Sequence, residues 1–203
     1  VVILTLGAMT YVIDLQATQA SLARYRHLSL HDALTGLPNR TGFLEHVTQL
    51  LMRPDGKGAK VAILTFDLDR FKEINDVHGH AAGDHVLRTV AQRLSARLRD
   101  GEFLARVGGD EFVAVSSRYF NRGDAMQLAQ RFIREITQPI VWNGVTVTVG
   151  SSFGISVSPD NGETLDDLLA QADVAMYRAK ATGTNEVCFY DLSMDRQARE
   201  RNA

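Results

Sequence analysis

The chain has 203 residues, 45% of them hydrophobic and 23% charged, an ordinary globular composition with length enough for one domain, its core and some appendages. Lys and Arg number 22 against 24 Asp and Glu, a net charge of −2 that offers no basic footprint and so argues against nucleic acid as a partner. The single cysteine, Cys188, cannot form an internal disulfide, which fits a cytosol-facing chain.

Residues 1–13 (VVILTLGAMTYVI) are almost wholly apolar but fall short of the roughly 20 residues that span a membrane. They also lack the basic n-region and cleavage site of a signal peptide. Two readings stand: the cytoplasmic end of a truncated transmembrane helix, which is preferred, or a helix with one packed apolar side. Residues 14–30, with Arg24, Arg26 and His27, suit a connecting juxtamembrane helix. A domain is expected over 31–190 and a charged C-terminal linker over 191–203.

Within the domain, Gly36 and Pro38-Asn39 mark HDALTGLPNR as a structured loop, and a short helix follows over 41–52. The apolar run KVAILTF (60–66) predicts a strand buried on both faces, ending in Asp67-Leu68-Asp69. A helix is expected over 71–77, then a glycine-punctuated loop, 78–85, entering a helix that buries Val86, Leu87, Val90, Leu94 and Leu98. Gly108-Gly109 between apolar β-formers predicts a tight hairpin whose turn needs positive φ. Alternation along the second arm would send Asp110 and Glu111 to opposite faces. A helix is expected over 124–136. A second hairpin is expected about Asn143-Gly144, its second arm running on through Phe153 and Ile155. Thr164 caps a last helix to about residue 180, burying Leu165, Leu168, Leu169, Ala172 and Met176, before a short strand over 186–190. Alternating strands and helices with two hairpins imply an α/β (α+β) sandwich: a central mixed β-sheet flanked by helices.

Asp67 and Asp110 are the natural pair for chemistry. If their strands are neighbours, two carboxylates and a backbone carbonyl converge into an oxygen site suited to Mg²⁺, with Mn²⁺ as an alternative. Such an ion would neutralise a triphosphate and help to activate a hydroxyl. Lys72 and Lys180 suit phosphate oxygens. Asn75 and Asp84 match a guanine edge, the amide pairing with O6 and N7 and the carboxylate accepting from N1–H and the 2-amino group. Glu111 is either a catalytic partner or an ion-paired strand residue, and Asp69 reads as a loop or capping carboxylate. His78, His80 and His85 have no cysteine partners and fit no common zinc spacing. Trp142 reads as a packed strand aromatic and Cys188 as a buried small hydrophobe.

Gly108-Gly109-Asp110-Glu111-Phe112 resembles the signature of the bacterial GGDEF diguanylate cyclases. Three further stretches resemble that family's motifs in the same order: Asp32 to Arg40, Asp67 to Asp76, and Gly79-His80 with Gly83-Asp84. The resemblance covers roughly residues 30 to 190. It implies a palm-like nucleotidyl-cyclase fold that condenses two GTP into cyclic di-GMP, with Asp67, the Leu68 carbonyl and Asp110 holding Mg²⁺. It further implies that Asp110, with Glu111, forms the catalytic group, that Asn75, His80 and Asp84 bind substrate, and that Lys72 and Lys180 contact phosphates. One GTP per domain implies a homodimer.

Two departures stand out. Where the family usually carries Lys-x-x-Gly-Arg-Asn, this chain has Lys180-Ala181-Thr182-Gly183-Thr184-Asn185, so a phosphate-binding arginine becomes Thr184. The family's product-inhibition pattern, Arg-x-x-Asp, reads Arg99-Asp100-Gly101-Glu102 here, with Arg97-Leu98-Arg99-Asp100 two residues too early. The charged end, from Phe189-Tyr190-Asp191 onward, resembles the linker leading into a cyclic di-GMP phosphodiesterase (EAL) domain. With the apolar start, it implies the cytoplasmic part of a multi-domain inner-membrane signalling protein.

Overall fold

The structure, a computed structural model, describes residue 19 and residues 24–52, 60–117 and 121–194. The apolar segment 1–13 lies outside them, as does nearly all of the C-terminal linker. Among the described residues no helix is long and apolar enough to cross a membrane. Residues 24–30 are helical, and Arg26 reaches Glu45 at 3.3 Å.

The strands in chain order are β1 (Val61–Asp69), β2 (Glu102–Arg106), β3 (Glu111–Ser116), β4 (Ile140–Trp142), β5 (Val145–Val147), β6 (Gly150–Ser158) and β7 (Val187–Phe189). The helices are α1 (Arg40–Leu51), α2 (Phe71–His78), α3 (His80–Ser95), α4 (Arg122–Ile136) and α5 (Leu165–Thr182). Five strands form one sheet in the order β2-β3-β1-β6-β7, antiparallel except for the parallel β6–β7 pair, so the sheet is mixed as expected.

Central β1 is buried along its first six residues because helices cover both of its faces. Ala62, Leu64, Phe66 and Leu68 pack with Val86, Val90 and Leu94 of α3 and with Leu128, Phe132 and Ile136 of α4. Val61 and Ile63 face the other way, onto Phe43 and Val47 of α1 and Leu168 of α5. Phe66 stacks between Phe112 and Phe153 of the flanking strands, with ring centroids 5.5 and 4.3 Å away. Each such pair adds about 0.5–1.5 kcal/mol beyond the area it buries. Asn39 caps α1 through Gly42 N–H, Thr164 caps α5 through Asp167 N–H, and Asn121 with Asp124 closes a capping box on α4.

Several expectations are corrected. β1 runs on through Asp69, so Asp69 is a strand residue rather than a loop or capping carboxylate. α3 begins at His80, directly after Gly79 (φ 82°), and Asp84 therefore sits in its second turn rather than in an entering loop. Asn143 and Gly144 do adopt the positive φ of a primed turn, but β5 stops at Val147 and pairs with β4 alone, while β6 is a separate strand of the main sheet. On α5 the sheet-facing residues are small: Ala172, Ala175 and Ala179 are buried with Leu168, whereas Leu165, Leu169 and Met176 are only half-buried. The cause is close approach. A Cβ on Gly154 of β6 would lie 2.0 Å from the Ala172 carbonyl oxygen, so the helix backbone rests on the strand. Cys188 is half-buried rather than buried. The start of the expected linker is packed, with Met194 against Ala175 and Tyr190.

Candidate active site

The Asp67 end of β1 collects the carboxylates. In the β1–β3 ladder Asp67 stands opposite Glu111, and in the β1–β6 ladder it stands opposite Ser152. The side chain of Asp67 is 13% exposed. Oδ2 is ion-paired with the Lys180 ammonium from the last turn of α5, and Oδ1 is buried with no hydrogen-bond partner. A buried carboxylate oxygen without a partner is costly. It fits a cation, and with the Leu68 carbonyl, Asp110 and Glu111 nearby in sequence or register the donors are the hard oxygens that Mg²⁺ and Mn²⁺ take. The Asp67 carbonyl accepts from Ser151 Oγ at 2.7 Å, which fixes the strand at this point.

Asp110 lies in the turn between β2 and β3, half-buried, one residue before β3 begins. The expectation that it alternates with Glu111 along a strand is therefore corrected: the cross-strand neighbour of Asp67 is Glu111, and Asp110 belongs to the loop just before β3. Nor does the glycine pair serve through positive φ, which neither Gly108 nor Gly109 adopts. A Cβ on Gly108 would come within 2.9 Å of Glu111 Oε2, while the space above Gly109 is open. The pair clears room beside one carboxylate and over the turn, as a backbone approached by a ligand requires.

Two residues without an assigned role in the sequence reading hold this turn. Arg106 donates from Nε and Nη2 to the Gly109 carbonyl at 2.9 and 2.7 Å, and from Nη1 to Asp32 Oδ1 at 2.7 Å. Asp32 Oδ1 also accepts from the Thr35 amide and hydroxyl at 2.9 and 2.6 Å. Burial alone would raise the Asp32 carboxyl, but the Thr35 and Arg106 hydrogen bonds outweigh it and hold the group below its ordinary range. The loop ahead of α1 is thus tied to the turn that bears Asp110.

Asn75 and Asp84 are brought together by the α2–α3 joint at Gly79. The Asn75 amide lies so close to α3 that a Cβ on Gly83 would sit 2.0 Å from its Oδ1, which leaves Asn75 beside the residue preceding Asp84. Asp84 pairs loosely with Arg88 at 3.5 Å and stays accessible. Lys72 and His80 are exposed on the same two helices. His85 packs against Trp142 at 5.1 Å.

Asp69 proves to be more than a loop carboxylate. Burial and the neighbouring Asp67 charge raise its pKa, against hydrogen bonds from the Asn185 backbone and the Ser152 hydroxyl. Asn185 in turn accepts from the Ser151 amide at 3.1 Å, so this network joins the end of α5 to the sheet. Beyond it lies a cleft of about 690 Å³ lined by Asp69, Arg70, Glu73, Gly150 and Thr184 among others. Glu102, expected with Arg99 at an inhibitory site, is already engaged. Glu102 Oε2 accepts from the Arg99 amide at 2.8 Å and pairs with Arg131 Nη2 at 2.5 Å, with both charged side chains near 10% exposed. Arg97 is likewise engaged, pairing with Glu135 at 2.8 Å.

Residues 29–186 match the family model described as diguanylate cyclase, GGDEF domain. The chain is 41% identical over 167 residues to the diguanylate cyclase TpbB of Pseudomonas aeruginosa, covering 82% of this chain and 38% of TpbB. It is 39% identical over 174 residues to the bifunctional diguanylate cyclase/cyclic di-GMP phosphodiesterase MucR of the same organism, covering 86% of this chain and 25% of MucR. The chain thus spans well under half the length of these curated relatives. The crystallised GGDEF domain of P. aeruginosa TpbB superposes with a TM-score of 0.79 at 38% identity, covering 83% of this chain and 99% of that one.

Proposed function

Since this chain belongs to the diguanylate cyclase family of GGDEF domains, we propose that it condenses two molecules of GTP into cyclic di-GMP with release of two pyrophosphates. One observation carries the reading: at a single sheet end, Asp67 presents an unpartnered buried oxygen, holds Lys180 through the other, and faces Glu111 across the ladder.

Asn75 and Asp84 grip the guanine edge, the amide at O6 and N7 and the carboxylate at N1–H and the 2-amino group, with His80 beside them. Lys72 and Lys180 take phosphate oxygens, and Lys180 moves from Asp67 onto the triphosphate as nucleotide arrives. Asp67, the Leu68 carbonyl and Asp110 would hold Mg²⁺ or Mn²⁺, which supplies charge neutralisation at the α-phosphate and lowers the pKa of a bound hydroxyl. Asp110 accepts the proton of the ribose 3′-hydroxyl, and Glu111 supports it. The 3′-oxygen forms a bond to the α-phosphorus of the GTP on the facing chain as the bond to pyrophosphate breaks. Because each domain holds one GTP, the second 3′-hydroxyl attacks reciprocally, so the active form is a homodimer. In the full-length protein the domain sits on the cytoplasmic side of an inner membrane, anchored through the segment containing residues 1–13.

A second reading, a weak GTP-binding module that regulates a downstream phosphodiesterase domain, is favoured by Thr184 in place of the usual phosphate-binding arginine. Incubation of a dimerised form with GTP and Mg²⁺, followed by chromatography, separates the two. Cyclic di-GMP that disappears in Asp110→Ala supports the cyclase. GTP binding without product supports the regulatory module.

A further inference from the structure

The chain that follows α5 is fastened to the sheet at Gly183, Asn185 and Glu186. The Glu186 carbonyl accepts from the Phe153 amide at 2.8 Å, where β7 begins its parallel pairing with β6. Asn185 makes two contacts: its Oδ1 accepts from the Ser151 amide at 3.1 Å, and its backbone amide donates to the Asp69 carboxylate. Ser152 Oγ stands 3.4 Å from both Asp69 Oδ1 and the Gly183 carbonyl oxygen, so its one proton serves either the strand or the helix end. Asn185 is held at φ 63°, a left-handed conformation that asparagine tolerates better than most residues. Gly150, opposite Asp69 in the β1–β6 ladder, leaves the room for this arrangement. A Cβ there would lie 2.8 Å from Asp69 Oδ2 and 3.1 Å from Asn185 Oδ1. Asp69, Gly150 and Asn185 have no part in the nucleotide chemistry above.

We propose that Asp69 and Asn185 form a clasp that positions Lys180 for the nucleotide's phosphates. Asp69 lies two residues beyond Asp67 on the same face of β1, and Asn185 lies five residues beyond Lys180. One contact between them therefore sets the spacing of strand and helix end where Lys180 meets Asp67. A lysine ammonium is a point charge on a flexible stem, so its backbone must be placed for it to reach a given oxygen. With the helix end fixed, the ammonium leaves Asp67 for the triphosphate by turning its own side chain while α5 stays still. With it loose, the origin of that side chain shifts, and a displacement of about 1 Å can cost about 10²-fold in a positioned interaction. Both are positioning residues, acting through Lys180 and touching no substrate. The inference rests on Lys180 as a phosphate contact, as proposed above.

Calorimetric titration of the 203-residue protein with the α,β-methylene analogue of GTP and Mg²⁺ tests the clasp, because the bond to pyrophosphate cannot break in that probe. Asp69→Ala should weaken binding about tenfold on its own and cause no further loss when added to Lys180→Met, since two changes that act through one contact are not additive. Gly150→Ala removes no hydrogen-bonding group but fills the space that Asp69 and Asn185 share, and it should reproduce the Asp69→Ala pattern. Asp69→Asn keeps an acceptor oxygen for the Asn185 amide and should retain most of the affinity. Urea midpoints of the same variants separate lost folding from lost contact. Asp69→Ala that costs nothing, or costs the same in both backgrounds, overturns the clasp. So does Asp69→Asn binding as weakly as Asp69→Ala, which would mean that the negative charge itself is needed. Lys180→Met binding as tightly as wild type would overturn the role of Lys180, and the clasp with it.

Discussion

The Lys180 ammonium rests on one carboxylate oxygen of Asp67 while the other is buried and unpaired. The two residues are 113 positions apart, in β1 and the last turn of α5, and their pairing neutralises a carboxylate that is 13% exposed. Lys180 is 39% exposed, so the pair itself contributes little to stability, about 0–1 kcal/mol. The prediction separates binding from folding. Lys180→Met should leave the urea midpoint nearly unchanged but weaken GTP binding by about 1.5–3 kcal/mol, the loss of one charge-assisted contact. Asp67→Asn should reduce cyclic di-GMP production by about 10²–10³-fold. Calorimetry, denaturation and product chromatography on both variants check this, and a large stability loss in Lys180→Met would refute it.

Arg106 anchors the turn that bears Asp110. Three of its nitrogens are used, on Gly109 and Asp32, and its side chain is 12% exposed. Arg106→Lys cannot reproduce that fork, since an ammonium is a single point charge. A loss of about 2–3 kcal/mol is expected, with activity falling further than stability explains because the turn is released. There is a pH signature. The folded-state pKa of Asp32 is depressed, so its contribution is present above the unfolded pKa and fades as pH falls through the lower folded value. The difference in stability between wild type and Arg106→Lys should therefore be full at neutral pH and shrink in strong acid. A difference that stays constant with pH would exclude this account.

Gly83 offers a cleaner test of the guanine-reading pair. Alanine at an interior helical position normally gains about 1 kcal/mol over glycine. Here the new methyl would stand 2.0 Å from Asn75 Oδ1 and 3.0 Å from the Phe71 ring, so the Asn75 amide must leave its place. Gly83→Ala should lose GTP affinity at least about tenfold, comparable to removing one hydrogen-bonding group. Its discrimination against ATP, which carries a 6-amino group where guanine has the O6 that Asn75 would read, should fall with it. Unaltered nucleotide binding would mean that Asn75 does not read the base.

The parts of the fold legible in the sequence are those where one local rule dominates. The run from Lys60 to Phe66 is too apolar for anything but a doubly covered strand, and Asn143-Gly144 demands a primed turn. Gly108-Gly109 shows the limit. Its place between two strands was readable, but its reason was not, because the space that Glu111 Oε2 occupies beside Gly108 is set by a register no single segment encodes. The Asp32–Arg106 link joins residues 74 positions apart, and only the assembled sheet brings them together. An Asp-x-x-Thr turn and a lone arginine ahead of a glycine pair were the available signals. The small inward face of α5 escaped for a similar reason: it answers to Gly154 on another element.

Glu102 and Arg131 form a buried pair, with the Arg99 amide completing the carboxylate's shell. Removing one partner of such a pair leaves an uncompensated charge, so Arg131→Met should cost about 3–5 kcal/mol in urea denaturation. The same pair would have to open for Glu102 to serve as half of a product-binding site with Arg99. Titration with cyclic di-GMP should show no tight binding that Arg99→Ala abolishes. Tight, Arg99-dependent binding would show that the Glu102–Arg131 pair opens for the product.

Thr184 decides how much of the phosphate grip survives. It lines the cleft beyond Asp69 together with Arg70, whose backbone is held at φ 59°, a conformation uncommon outside glycine. Arg70 is exposed and sits at the start of α2, where the helix dipole already favours an anion. Thr184→Arg would add a second guanidinium to that cleft and should tighten GTP binding by about 1.5–3 kcal/mol, the gain of a charge-assisted contact. If Arg70 already fills the role, the gain will be small in wild type and restored in an Arg70→Ala background, since two groups serving one phosphate are not additive. Calorimetric titration of GTP into the four combinations measures the coupling. No gain in either background would mean that the triphosphate does not reach this end of the cleft.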